Sequence, residues 1–240
     1  MNTTASPSHF EIRRADDRGH GDHGWLDSHH SFSFSDYYDP RRMGYSALRV
    51  INEDRVVAGA GFPPHGHQNM EILSYVLAGA LKHRDSSGGG GVLRPGELQL
   101  MSAGSGITHS EMNASVSEPV HFLQIWIEPA VRGVEPTYQQ RPLDTAALRQ
   151  GFQLIVAPAG EPAPFVIRQD ARLAIAWPQA GQALTTALRS DRRYYLQVAR
   201  GRVELDGETL SAGDAAMFIH RATLAVNAAE DSELLLFDLP

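Results

Sequence analysis

Apolar residues along this chain fall in short β-branched and aromatic runs and not in helical stripes. The clearest are Ala47-Leu48-Arg49-Val50-Ile51, Ile72-Leu73-Ser74-Tyr75-Val76-Leu77, Leu98-Gln99-Leu100-Met101 and His121-Phe122-Leu123-Gln124-Ile125-Trp126-Ile127. Turn residues separate them, the longest group being Asp85-Ser86-Ser87-Gly88-Gly89-Gly90-Gly91. Many short strands punctuated in this way predict an all-β chain, built as a barrel or sandwich. The one helix expected, of one or two turns, runs from Leu143 to Gln150 and is opened by Asp144 or Thr145.

The order of strands and turns occurs twice. Tyr75-Val-Leu-Ala-Gly79, a further strand and Arg94-Pro-Gly-Glu-Leu-Gln-Leu-Met-Ser-Ala103 make the first copy. Tyr195-Leu-Gln-Val-Ala-Arg-Gly201, Val-Glu-Leu-Asp-Gly-Glu-Thr-Leu and Ser211-Ala-Gly-Asp-Ala-Ala-Met-Phe218 make the second. Two β-hairpins can look alike by accident, but the shared order of turns favours duplication. Two barrels fit the length, with a boundary in the stretch from Pro136 to Pro142; the domains expected are 1–138 and 139–240. From Tyr195 onward the only histidine is His220, so the second barrel is expected to lack the chemistry of the first. The closing run Glu233-Leu-Leu-Leu-Phe-Asp238 reads as a strand able to complete either barrel.

Composition narrows the chemistry. With 42% hydrophobic and 20% charged residues, the 240-residue chain is ordinarily globular. A net charge of -7 argues against direct binding to nucleic acid or anionic membranes. There is no cysteine, which removes disulfides, thiolate metal sites and thiol nucleophiles together. Any transition metal must be held by histidine and carboxylate. The start MNTTASPSHF lacks a signal-peptide pattern, and no run is long enough for a membrane helix, so the cytoplasm is the expected location.

Two pairs of residues stand out. In an extended segment His65 and His67 project to one face, and His109 and Glu111 form a second pair with the same spacing. Two strands offering two ligands each would give a barrel interior three imidazoles and one carboxylate. Pro63 and Pro64 fix the approach to the first pair, and Gly104 and Gly106 precede the second.

These residues carry a resemblance. Gly59-x5-His65-x-His67-x3-Glu71 and Pro95-Gly-x6-Ala103-Gly-x-Gly-x2-His109 resemble the two cupin motifs. More narrowly, Gln68-Asn-Met-Glu-Ile-Leu-Ser-Tyr-Val-Leu-x-Gly79 and Met101-Ser-Ala-Gly-x-Gly-Ile-x-His-Ser-Glu111 resemble the pirin family. The likeness is to its bacterial members described as quercetin 2,3-dioxygenases. Arg18-Gly-His-x-x-His-Gly-Trp-Leu-Asp-Ser28, Phe32-Ser-Phe34 and Tyr37-Tyr-Asp-Pro40 extend it toward the N-terminus.

The resemblance implies a bicupin, two jelly-roll-like β-barrels, with metal only in the N-terminal one. Its ligands fall on His65, His67, His109 and Glu111, and Glu111 doubles as the catalytic carboxylate. Glu71, a ligand in many other cupins, is left with a supporting role. The cofactor implied is one divalent transition metal ion, iron first, with Mn, Co, Ni or Zn as alternatives. The reaction implied is the opening of a flavonol such as quercetin by O2, in a monomer that uses no nucleic acid or membrane. Two other readings stand beside it: a metal-dependent regulatory pirin acting through a protein partner, and a metal cupin with a different small-molecule substrate. His83, beside the glycine-rich loop, could contact substrate but reads first as a surface histidine.

Overall fold

The computed structural model describes residues 10–240. The chain opens with β1 (Phe10–Arg13), followed by β2 (Gly19–Asp22), β3 (Leu26–His30), β4 (Leu48–Val56), β5 (Gly61–His67) and β6 (Glu71–Ala78). Next come β7 (Leu81–Asp85), β8 (Gly90–Leu93), β9 (Glu97–Ser102), β10 (Ile107–Asn113), β11 (Val120–Ile127) and β12 (Thr137–Pro142). The helix α1 (Thr145–Leu148) is a single turn inside the expected stretch Leu143 to Gln150. Beyond it lie β13 (Gln153–Pro158), β14 (Phe165–Ile167), β15 (Arg172–Ala176), β16 (Ala183–Ala187) and β17 (Arg193–Arg200). The last are β18 (Arg202–Leu205), β19 (Glu208–Ser211), β20 (Ala215–Ile219), β21 (Thr223–Ala228) and β22 (Glu233–Leu239). No helix among the described residues is long and apolar enough to cross a membrane.

The chain divides into two compact units that interlace in sequence. One consists of Arg18–Asp144 and Val156–Asp170. The other consists of residues 10–17, Thr145–Ile155 and Ala171–Pro240. β12, which spans positions 138 and 139, pairs along its whole length with β9. β1 pairs with β20, far away in sequence. Such pairings are set by long-range register, to which a local pattern of turns is blind.

In the first unit a seven-stranded sheet of order β12-β9-β6-β11-β4-β3-β2 packs on a four-stranded sheet of order β5-β10-β7-β8. In the second, β20-β17-β22-β15 takes the place of β9-β6-β11-β4, and β16-β21-β18-β19 that of β5-β10-β7-β8. The duplicated strand order is therefore present as two barrels of one topology. β22 lies between β17 and β15, so the closing strand belongs to the second barrel.

The interiors differ. The second barrel is filled by one apolar cluster, including Leu196, Val203, Leu205, Leu224, Val226 and Phe218. Its equivalents of β5 and β10, the strands β16 and β21, set Leu184 opposite Val226 and supply no histidine. Smaller clusters in the first barrel form around Val76, Leu81 and Phe122 and around Ile72, Met101 and Ile107. A cavity meets the edge of each, at Phe62 and at Trp126.

Candidate metal centre

β5 and β10 run antiparallel with His65 directly opposite His109 and His67 opposite Ile107. β5 is the edge of its sheet, where Pro63 and Pro64 cost no ladder hydrogen bond. The strands approach closely because Gly61 has no Cβ: one would sit 2.4 Å from the Glu111 carbonyl oxygen. A bulge between His109 and Glu111 shifts the register, so that Glu111 pairs with Phe62. Bulges re-aim side chains at sites of this kind.

The three histidines converge. Their ligating nitrogens lie within 4.8 Å of one another, and His65 Nε2 is 3.0 Å from His109 Nε2. His65 Nδ1–H donates to the Pro63 carbonyl at 2.8 Å, which leaves its Nε2 with a free lone pair. His67 Nε2 is buried with no hydrogen-bond partner. Burial, followed by the charge of His65, lowers the His67 pKa to about 4. Burial and the neighbouring imidazoles lower that of His109 to about 2. Burial thus holds His67 and His109 as neutral imidazoles, the form that binds metal. Two ligands each about 2.1 Å from one ion and at right angles lie about 3.0 Å apart, so the donor spacing fits a divalent transition metal.

His109 is oriented from behind. Its Nδ1 lies 3.0 Å from His83 Nε2, and His83 Nδ1 is 3.9 Å from the buried Asp85 carboxylate. A proton on His83 Nδ1, toward Asp85, makes His83 Nε2 an acceptor for His109 Nδ1–H and frees His109 Nε2 to ligate. His83 is 2% exposed, so its reading as a surface histidine is corrected. The glycine-rich turn suggested exposure, whereas strand alternation in β7 puts Leu81, His83 and Asp85 inward and Lys82 and Arg84 outward. His83→Phe keeps the ring stacked on Tyr138 but loses the hydrogen bond. Metal affinity is expected to fall about 10- to 100-fold, as for other partners that orient a ligand; competition with a chromogenic chelator measures it.

Glu111 is 1% exposed and on the wall of the same cavity. It stands outside the tight group of three nitrogens. Gln124 Nε2–H donates to Oε2 at 2.6 Å, and Ser74 Oγ lies 3.1 Å from Oε1. Burial raises its pKa to about 7 against these hydrogen bonds. A carboxyl so poised can hold or release a proton near neutrality. Ser74 and Gln124, which steer it, lie in runs that the sequence marks as strands, but nothing there gave either residue a role at the site. Glu71 is buried, accepts a 2.6 Å hydrogen bond from Ser102 Oγ and is not among the residues lining the cavity.

The cavity in front of these groups has a volume of about 370 Å³. Leu26, Phe34, Phe62 and Trp126 give it an apolar wall, and Ser28, His30, Asn52 and Asp54 give it a polar one. His30 Nδ1 is 2.9 Å from Asn52 Oδ1, and Ser28 Oγ–H donates to Asp54 at 2.5 Å. Burial lifts the Asp54 pKa to about 7. The folded protein therefore keeps a proton on Asp54 that the unfolded chain gives up near pH 4. The stability tied to this proton is full below about pH 4 and is lost as pH rises through about 7, on the order of 4 kcal/mol if the whole shift is expressed. Glu111 acts in the same direction. In metal-stripped protein, Asp54→Asn is expected to melt at a temperature that falls less steeply than wild type between about pH 5 and 8. Parallel melting curves for the two proteins would refute this.

Comparison with known proteins shows the family. The family model described as Pirin matches residues 11–127, and one described as the quercetinase C-terminal cupin domain matches residues 154–239. A protein named quercetin 2,3-dioxygenase from Escherichia coli (strain K12) is 44% identical over 229 residues, covering 95% of this chain and 98% of its own. A pirin-like protein of Caulobacter vibrioides is 42% identical over 93% of this chain and 96% of its own. The crystal structure of the bacterial pirin YhhW from Escherichia coli in complex with nickel(II) superposes with a TM-score of 0.90 at 43% identity, covering 97% of this chain and 99% of that one. With identity at this level along nearly its full length, the chain belongs to the pirin family.

Proposed function

We propose that the protein is a dioxygenase of the pirin type that opens a flavonol such as quercetin with O2, using one divalent metal ion held by His65, His67, His109 and Glu111. The observation that carries this reading is the convergence of three imidazoles, of which His65 and His67 line an aromatic-walled cavity of about 370 Å³. A cavity of that size suits one small planar molecule. The name of the Escherichia coli relative and the nickel in the related pirin structure point the same way. Iron is the ion the sequence resemblance favours.

A bound divalent ion supplies positive charge that favours the ionised form of a substrate hydroxyl, and redox access to O2. The protein does the rest. Phe34, Phe62 and Trp126 bury the aromatic faces of the substrate and exclude water. His67 and Trp126 meet edge to face with ring centroids 4.9 Å apart, so the apolar wall adjoins the donor set. Glu111 takes the proton from the substrate 3-hydroxyl while Gln124 and Ser74 hold its carboxylate in place. In the overall reaction both atoms of O2 enter products, the heterocycle opens and carbon monoxide leaves.

Oxygen consumption with quercetin tests this, using protein reconstituted separately with Fe, Mn, Co and Ni and assayed for bound metal. Uptake of one O2 per quercetin is expected, falling at least about 100-fold in Glu111→Gln, the low end of what a positioned acid or base contributes. Absence of uptake from protein holding one ion per chain would sink the dioxygenase reading and turn attention to a regulatory role with a protein partner.

A further inference from the structure

β3 turns two faces to two different tasks. Ser28 and His30 line the cavity, so Asp27 and His29 point to the opposite side of the sheet. β2 pairs with it in a register that sets His20 opposite His29 and Asp22 opposite Asp27. Residues two apart on a strand share a face, so one side of this hairpin carries two imidazoles and two carboxylates as a block. His20 Nε2 is 2.9 Å from Asp27 Oδ1, and His29 Nδ1 is 3.5 Å from the same oxygen. The two rings stack with centroids 4.5 Å apart. Ligand atoms of His20, Asp27 and His29 all lie within 4.8 Å of one another.

Two features separate this block from ordinary solvated polar groups. Carboxylates directly opposite each other across a strand pair repel, yet Asp27 and Asp22, whose Oδ1 accepts from Gly24 N–H at 2.8 Å, are so placed in a hairpin at the edge of the sheet. His29 Nδ1 is shielded from water without a hydrogen-bond partner, since its contact with Asp27 is of ion-pair length only. A cation between these groups answers both. Arg18, the guanidinium whose charge reaches His29, is engaged with Glu53 at 2.9 Å, which reduces its opposition to such an ion.

We propose that His20, Asp27 and His29 form a second metal site, distinct from the histidine triad, which takes a divalent cation of the zinc(II) type with water completing its coordination. Two imidazoles and one carboxylate are a donor set that zinc accepts. The ion ties β2 to β3 across their pairing, and because Ser28 and His30 lie on the other face of β3, it also stiffens the polar wall of the cavity.

The test is equilibrium dialysis against Zn2+ of the full chain in a His65→Ala/His67→Ala background, which removes the triad. One ion per chain is expected there, together with a rise in melting temperature on adding zinc. Adding His20→Ala and His29→Phe is expected to abolish both; the phenyl ring keeps an aromatic side chain at position 29 without a donor atom. In the otherwise wild-type chain the same two hairpin substitutions lower the zinc stoichiometry by one. No ion in the triad-free background, or an ion that survives the hairpin substitutions, would overturn the proposal. Because the background lacks the triad, the outcome does not depend on what the triad binds or catalyses.

Discussion

His109→Ala is expected to leave a folded protein that retains no divalent ion at the triad and has lost more than about 100-fold of its quercetin-dependent oxygen uptake. The size follows from comparison with residues that merely orient a ligand, whose loss costs about 10- to 100-fold. His109 does more than they do. It supplies a nitrogen 3.0 Å from that of His65, and it is the point at which the His83–Asp85 arm enters the site. With the imidazole gone, His65 and His67 remain as two donors on an edge strand. Metal analysis after gel filtration reads the first effect, an oxygen electrode the second, and circular dichroism confirms the fold. One ion still bound at the triad, with normal uptake, would refute the assignment.

Gly61→Ala is expected to cost about 3 kcal/mol, the upper end of the range for overpacking a tight site. The new Cβ would meet the Glu111 carbonyl oxygen at 2.4 Å and Met112 Cα at 2.5 Å, and both are backbone atoms with nowhere to move. β5 and β10 must then separate where they carry the ligands, so stability and metal affinity should fall together. For a chain of this size the melting temperature should drop by about 6 to 12 °C. Gly59→Ala is the control two residues away. Its Cβ meets nothing within 4 Å, and only its φ of 73° is strained. The expected cost there is about 1 to 2 kcal/mol, with metal affinity unchanged. Equal losses at the two positions would show that close strand approach is not what Gly61 provides.

The candidate donors stand out in the chain because their spacing is local. Residues two apart on a strand share a face, so His65 with His67 and His109 with Glu111 announced themselves once the segments were taken as extended. Strand pairing then set His65 opposite His109, which spacing alone does not dictate. What orients the donors was less legible. Gln124, Ser28 and Asp54 reach the cavity, and Ser74 reaches Glu111, through registers of β11, β3, β4 and β6 that form between distant segments. His83 is an intermediate case, since the alternation of Leu81, His83 and Asp85 pointed inward while the glycines after Asp85 pointed to a surface turn. The interlacing of the two units has the same origin as these omissions. β1 finds β20 and β12 finds β9 by edge pairing across many residues, and the local pattern of turns carries no record of it.

The most direct test of the central claim is a crystal structure of the nickel-loaded protein with anomalous diffraction at the nickel edge. A peak is expected about 2.1 Å from nitrogens of His65, His67 and His109, with a Glu111 carboxylate oxygen turned onto the same ion. A protein that binds nickel tightly in solution yet shows no peak among these residues would contradict it.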